Sequence, residues 1–118
     1  MPTLRDFQRE DVEYLKQHNL RALVANAQGT GKTATAIRAV VEHDAALPAI
    51  VVCPASVTEN WIREIKTWAP EHRVVHVSDM STKIPRVDRG TFIVISWALL
   101  DPRWSDLSRL RFRSVVAD

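Results

Sequence analysis

The chain has 118 residues, of which 46% are hydrophobic and 25% are charged, a balance that suits one globular domain and excludes a disordered chain. No apolar run approaches the roughly 20 residues of a membrane-spanning helix, and the first residues lack the pattern of a secretory signal. The net charge of +2 is too small to indicate nucleic-acid binding by itself, and the single cysteine, Cys53, suits a reducing compartment.

Apolar runs and helical patterns alternate along the chain. Five short runs are rich in Val and Ile and nearly unbroken, which predicts strands that are buried on both faces: Ala22–Ala25, Ala49–Cys53, Val74–Val77, Phe92–Ile95 and Val115–Ala117. Apolar residues recur at helical spacing over Leu4–Gln17, Lys32–His43 and Ser56–Ala69. The polar stretch Ser78–Gly90 predicts an exposed connection. This alternation predicts an α/β fold of three layers with a mostly parallel sheet.

The segment Ser56–Ala69 carries the clearest helical pattern. Ser56 and Glu59 have the spacing of a capping box, in which each side chain satisfies the backbone N–H of the other residue. Trp61 and Trp68 lie on the apolar stripe, and we expect them in the core rather than stacked on a base.

Glycine is scarce, and two of the three glycines stand just before a Lys-Thr pair. The segment Gln28-Gly29-Thr30-Gly31-Lys32-Thr33 follows an apolar run and opens a helical pattern, which is the context of a phosphate-binding loop. Its backbone N–H groups would surround the phosphates, because small residues allow a close approach. Lys32 would reach the β- and γ-phosphates, and the Thr33 hydroxyl would bind Mg²⁺. The segment therefore predicts a nucleotide site.

The loop departs from the full pattern at one position. The pattern G-x-x-x-x-G-K-[ST] expects glycine at position 26, where this chain has Asn26. Asparagine tolerates left-handed backbone better than most residues, so the loop can still close. The alternative is a plain strand-to-helix turn without a ligand.

Four further segments carry a resemblance to known enzymes. Leu4-Arg5-Asp6-Phe7-Gln8 resembles the L-R-x-[YF]-Q motif of superfamily 2 helicases. Ile50–Val57, followed by Asn60-Trp61 and Glu64, resembles motif Ia of the Snf2 family of DNA-dependent ATPases. Ile93–Leu100 is similar to motif Ib of that family, and Phe112–Asp118 is similar to the strand that ends in the Walker B aspartate. With the phosphate loop, these segments stand in the order of the family.

The resemblance implies a fold and a set of site residues. The fold would be that of a P-loop NTPase of the RecA-like type, with residues 1–118 as a partial helicase ATP-binding domain. This part would run from the Q motif to the Walker B aspartate, so the first lobe would be incomplete at its carboxyl end. Gln8 would bind the adenine edge of ATP, although an exposed position on an amphipathic helix is the alternative. Lys32 and Asp118 would be catalytic, with Asp118 and Thr33 holding Mg²⁺.

The resemblance also implies a function and partners. Ser56 and Ser96 would contact the DNA backbone, with a helix cap as the alternative for Ser96. The protein would couple ATP hydrolysis to translocation on DNA or remodelling of DNA, together with a second RecA-like lobe in the same chain or a companion chain. We expect it in the cytoplasm of a bacterium or of a viral host, or in a nucleus.

Two groups that the family uses for hydrolysis are absent from these 118 residues. They are the glutamate after the Walker B aspartate and the arginines of the second lobe, so the isolated chain is expected to be a poor ATPase. The family also places acidic residues before the first glycine of the loop, where this chain has Asn26-Ala27-Gln28. Two alternatives remain: a nucleotide- or DNA-binding module from a split or vestigial gene, and a different P-loop enzyme such as a nucleotide kinase.

Overall fold

The computed structural model describes residues 21–24, 32–42, 47–85 and 90–118. Within these ranges five strands form one sheet: β1 (Arg21–Val24), β2 (Ala49–Cys53), β3 (Arg73–Val77), β4 (Thr91–Ser96) and β5 (Ser114–Ala117). Their order across the sheet is β1-β5-β2-β4-β3, and every neighbouring pair is parallel. The predicted α/β class and the five predicted strands are therefore confirmed.

The helices of the described residues differ in length. The long helices are α1 (Lys32–Glu42) and α2 (Thr58–Trp68), and the short ones are α3 (Trp97–Leu100) and α4 (Trp104–Leu107). Single-turn 3-10 helices cover Ala55–Val57 and Ser108–Leu110. The predicted helix over Leu4–Gln17 lies outside the described residues. Among the described residues, no helix is long and apolar enough to cross a membrane.

The sheet is the middle of three layers. Alternate residues of the central strands point to opposite faces, so that Val51 packs with α1 and α2, whereas Val52 packs with α3 and α4. On the first face the core includes Ile37, Val40, Trp61, Ile65, Phe92 and Val116. On the second face it includes Ile50, Val77, Ile93, Ile95, Leu107 and Val115.

The edge strand β3 does not follow the prediction of burial on both faces. Strands β2, β4 and β5 are buried throughout, but within β3 only Val77 is buried and Arg73 is exposed. The reason is its place at the edge of the sheet: among the described strands, β3 pairs with β4 alone, so its other edge is not covered by a described strand.

The connection from β2 to α2 also differs from the prediction. The capping box is wrong: the helix begins at Thr58, its N-cap residue is Val57, and no side chain caps it. A 3-10 turn precedes the helix instead, in which the N–H of Val57 donates to the carbonyl of Pro54 at 3.0 Å. Thr58 Oγ1 donates to the carbonyl of Ala55 at 3.1 Å. These two bonds stabilise the start of the helix in place of the predicted capping box, and the Ser56 side chain stays exposed.

The two tryptophans of α2 have different environments. Trp61 is fully buried, as expected, but Trp68 is 45% exposed and the prediction that it lies in the core is wrong. Trp68 ends the helix, where its indole Nε1–H donates to Glu64 Oε2 at 2.8 Å on the protein surface.

Candidate functional site

The carboxyl ends of all five strands meet at one edge of the sheet. In register, Ala117 of β5 lies between Val24 of β1 and Val52 of β2. The residue after Ala117 is Asp118, so it lies where the chain leaves β1 towards α1. In open parallel sheets, ligands bind outside this edge.

Hydrogen bonds with three other described residues hold Asp118. Its backbone N–H donates to the carbonyl of Val52 at 2.9 Å. The indole Nε1–H of Trp61 donates to the carboxylate oxygen Oδ2 of Asp118 at 2.9 Å. The indole Nε1–H of Trp97 donates to the backbone carbonyl of Asp118 at 3.0 Å. Both the main chain and the side chain of Asp118 are therefore fixed by neighbouring elements.

Cys53 lies at the end of β2 and is fully buried. Burial, and secondarily the negative charge of Asp118, raises the pKa of the Cys53 thiol to about 12. Its Sγ lies 4.0 Å from the carbonyl oxygen of Ile95, which it faces as a weak donor. The thiol is therefore neutral near pH 7 and adds no second negative charge beside the Asp118 carboxylate.

The predicted nucleotide residues are described in part. Lys32 is the first residue of α1, and Thr33 lies in the first turn with only 6% of its surface exposed. Gln8, Gln28, Gly29, Thr30 and Gly31 lie outside the described residues, as does the side chain of Lys32. The structure thus gives the strand before the predicted loop, the helix after it, and Asp118 directly after β5, the strand next to β1. The nucleotide-binding roles stay predictions.

The two predicted DNA contacts lie at the same sheet edge but differ in exposure. Ser56 is exposed within the 3-10 turn that follows β2. Ser96 ends β4, beside Cys53 of β2, and is 6% exposed. It occupies the N-cap position of α3, yet its side chain makes no capping hydrogen bond. Both DNA roles stay predictions, and exposure favours Ser56.

A buried arginine, which the sequence analysis did not identify, holds the loop after β3. Arg103 is 5% exposed, and its Nη1–H donates to the carbonyl of Asp79 at 2.8 Å. Its Nη2–H donates to the carbonyl of Thr82 at 2.7 Å, and its Nε–H donates to Asp106 Oδ2 at 3.1 Å. One guanidinium therefore joins the loop to the segment that begins α4.

The same loop is ordered by its own side chains. Asp79 Oδ1 accepts hydrogen bonds from Ser81 Oγ and Ser81 N, each at 2.8 Å, and from Thr82 Oγ1 at 3.1 Å. These bonds, with those from Ser81 the strongest, hold the pKa of the Asp79 carboxyl below its usual range. The loop thus has a defined conformation although Asp79 and Ser81 are exposed.

Comparison with known proteins gives a consistent result. The sequence profile of the SNF2-related domain matches residues 7–118. The chain is 28% identical over 114 residues to the Caenorhabditis elegans homologue of "SWI/SNF-related matrix-associated actin-dependent regulator of chromatin subfamily A-like protein 1", covering 95% of this chain and 16% of that protein. It is 28% identical over 121 residues to mouse "DNA annealing helicase and endonuclease ZRANB3", covering 98% of this chain and 11% of that protein.

A solved structure gives the same fold. The Sulfolobus solfataricus SWI2/SNF2 ATPase core in complex with dsDNA superposes with a TM-score of 0.64 at 24% identity, covering 99% of this chain and 26% of that chain. The described sheet therefore has the RecA-like fold of such a core. The chain spans less than a fifth of the length of the two curated relatives.

Proposed function

This chain belongs to the SNF2-related family, and on that premise we propose that it forms the ATP-binding part of the first RecA-like lobe of a DNA-dependent ATPase. The whole protein would couple ATP hydrolysis to translocation on DNA or to remodelling of DNA. The observation that carries this proposal is the position of Asp118, which follows β5 beside the end of β1, with the main chain and carboxylate both held.

The residues around this position fit a nucleotide with Mg²⁺. The hydroxyl of Thr33 and the carboxylate of Asp118 are hard oxygen donors, the kind that Mg²⁺ prefers. When bound, Mg²⁺ neutralises charge on the β- and γ-phosphates. Lys32 and the backbone N–H groups of Gly29–Gly31 would hold the phosphates, and Gln8 would bind the adenine.

DNA would bind along the same sheet edge. Ser56 supports this role because it is exposed after β2, where the N-terminal end of α2 favours a phosphate. Ser96, which is largely buried, would contribute at most a hydroxyl at the end of β4. The other partner would be a second RecA-like lobe, and the protein would act in the cytoplasm or the nucleus.

Residues 1–118 by themselves would bind ATP but turn it over slowly. They carry Lys32, Thr33 and Asp118, whereas the general base and the arginines of the second lobe are not among them. The same set of residues would also suit a nucleotide-binding module whose catalytic site is completed by a companion chain. Release of phosphate from ATP at rates ordinary for enzymes, by the 118-residue chain alone, would contradict this part of the proposal.

Nucleotide binding is tested with a fluorescent ATP analogue and the 118-residue chain. We expect Lys32→Ala to abolish binding, because it removes the positive charge on the β- and γ-phosphates. Asp118→Asn should weaken binding in Mg²⁺ but not in EDTA. The matched controls are Lys66→Ala and Asp106→Asn, which alter exposed residues. Unchanged affinity of the Lys32→Ala variant would refute the nucleotide site.

DNA binding is tested separately with a fluorescent duplex at several salt concentrations. Ser56→Glu adds a negative charge that repels phosphate, and it should lower DNA affinity about tenfold, or about 1.4 kcal/mol. A glutamate near the N-terminal end of α2 is favourable for the helix, so the fold should tolerate it. Ser105→Glu, at an exposed position on α4, is the control. Equal effects of the two variants would mean that Ser56 does not contact DNA.

A further inference from the structure

Two tryptophans from different segments converge on Asp118. Trp61 lies on α2, which follows β2, and Trp97 begins α3, which follows β4. Each donates its indole N–H, Trp61 to the carboxylate at 2.9 Å and Trp97 to the backbone carbonyl at 3.0 Å. The two donors therefore fix different parts of the same residue.

Packing alone does not explain an indole at position 61. Trp61 is fully buried within the core of the first face, among Ile65, Val51 and Val116. A buried N–H destabilises a protein unless it is hydrogen-bonded, so a core position of this kind favours Phe or Leu. The N–H of Trp61 has a carboxylate as its partner, and such charge-assisted bonds are stronger than those between neutral groups.

The alternation of the sheet places the two side chains on one face. Val116 packs on the face of α1 and α2, and Asp118 is two residues further along the chain. Because Trp61 is immobilised by the core, it can hold the Asp118 carboxylate in one orientation. Trp97 holds the carbonyl and limits rotation of the main chain at the same residue.

We propose that Trp61 is a positioning residue that orients the Asp118 carboxylate for its role at Mg²⁺, and that Trp97 positions the main chain of Asp118. This inference rests on the proposed function. The two tryptophans also connect the segments proposed to contact DNA with the proposed metal site, because Ser56 lies just before α2 and Ser96 directly precedes Trp97. A shift of either segment would then move Asp118.

The first test measures how much Mg²⁺ strengthens binding of the fluorescent ATP analogue. Trp61→Phe keeps an aromatic ring but removes the N–H, and loss of such an orienting partner lowers metal affinity about 10- to 100-fold. We expect the Mg²⁺ concentration at half-saturation to rise by at least about tenfold, with affinity in EDTA unchanged. A purely structural role would weaken both affinities together. An unchanged Mg²⁺ requirement would overturn the proposal. A lower requirement would also overturn it, because it would mean that the indole N–H of Trp61 competes with Mg²⁺ for the carboxylate.

The matched control is Trp68→Phe. Trp68 lies on the same helix and also donates its indole N–H to a carboxylate, that of Glu64. It is 45% exposed, however, and it is the last residue of α2, seven residues after Trp61. Its removal should leave the Mg²⁺ requirement at the wild-type value. An equal rise in both variants would overturn the proposal, because the effect would not depend on Asp118.

A second variant and a second measurement do not depend on the stability of Trp61→Phe. Incorporation of benzothienylalanine at position 61 replaces the N–H with sulfur at nearly constant shape, and it should raise the Mg²⁺ requirement in the same way. In NMR spectra of the chain without nucleotide, Asp118→Asn should shift the indole N–H signal of Trp61 but not that of Trp68. An unshifted Trp61 signal would overturn the proposal. Failure of the wild-type chain to bind ATP would instead refute the proposed function.

Discussion

Removal of the buried Arg103 side chain should destabilise the protein strongly. Its guanidinium donates to the carbonyls of Asp79 and Thr82 and to the carboxylate of Asp106. Hydrogen bonds from a charged donor contribute about 1.5–3 kcal/mol each. The Asp106 pair adds little because that carboxylate is half exposed.

The expected magnitude for Arg103→Ala follows from the two carbonyls. The hydrogen bonds to these two carbonyls together contribute about 3–6 kcal/mol to the free energy of unfolding. In the variant, water can reach the exposed loop and bind the freed carbonyls, so we expect the free energy of unfolding to fall by about 3 kcal/mol. With a urea m-value of about 1.5 kcal/mol/M, the unfolding midpoint should fall by about 2 M. Trypsin should also cleave faster after the exposed Lys83, since the loop has lost its anchor.

Two further variants test whether the hydrogen bonds of Arg103 stabilise the loop. Arg103→Lys keeps the charge but lacks the planar fork that reaches both carbonyls, so it should recover less than half of the loss. Arg109→Ala, at an exposed position of the following 3-10 turn, should stay within about 0.5 kcal/mol of the wild type. A loss below about 1 kcal/mol for Arg103→Ala, or full recovery by lysine, would show that these hydrogen bonds do not stabilise the loop.

Three other predictions follow from burial and ionisation. The pKa of the buried Cys53 thiol is raised from 9.0 to about 12, so the stability that the neutral thiol contributes should be complete below about pH 9 and lost towards pH 12. Iodoacetamide at pH 8 should label this thiol slowly unless urea is added. Fast labelling of the native chain would contradict the prediction. Ser81→Ala should raise the pKa of the Asp79 carboxyl towards its usual value, measured by NMR titration, and an unchanged midpoint would count against the hydrogen bonds. Ile65→Ala should lower the free energy of unfolding by about 2–5 kcal/mol, whereas Lys66→Ala on the same helix should change it little, and similar losses would contradict the packing of α2.

The sheet could be predicted closely from the sequence because burial on both faces leaves a local signal. The runs Ala49–Cys53 and Phe92–Ile95 are apolar at every position, as central parallel strands require. The half-burial of β3 was not predictable in the same way. It depends on which strand lies at the edge, and that order is a property of the whole sheet.

The contacts within the candidate site could not be predicted from the sequence. Thr33 was predicted from the phosphate-loop motif and Asp118 from the resemblance to the family, whereas the bond between Trp61 and Asp118 joins residues far apart in the chain. Arg103 left no sequence signal at all, because an arginine in a polar segment is usually exposed. Helical periodicity likewise predicted the same environment for Trp61 and Trp68, although Trp61 is fully buried and Trp68, the last residue of α2, is 45% exposed.

The position of β5 sets the order in which the five described strands can pair. This strand is the last of the five in the chain, yet it lies between β1 and β2, and Arg21 pairs with Ser114. During synthesis, β2, β3 and β4 can associate early, but β1 gains its neighbour in the sheet only after residues 114–117 have left the ribosome. Pairing of such distant segments slows folding, because a long stretch of chain must be ordered first. The strand that precedes Asp118 thus also joins β1 to the other described strands, so Asp118 reaches its place beside the end of β1 only when this late insertion has occurred.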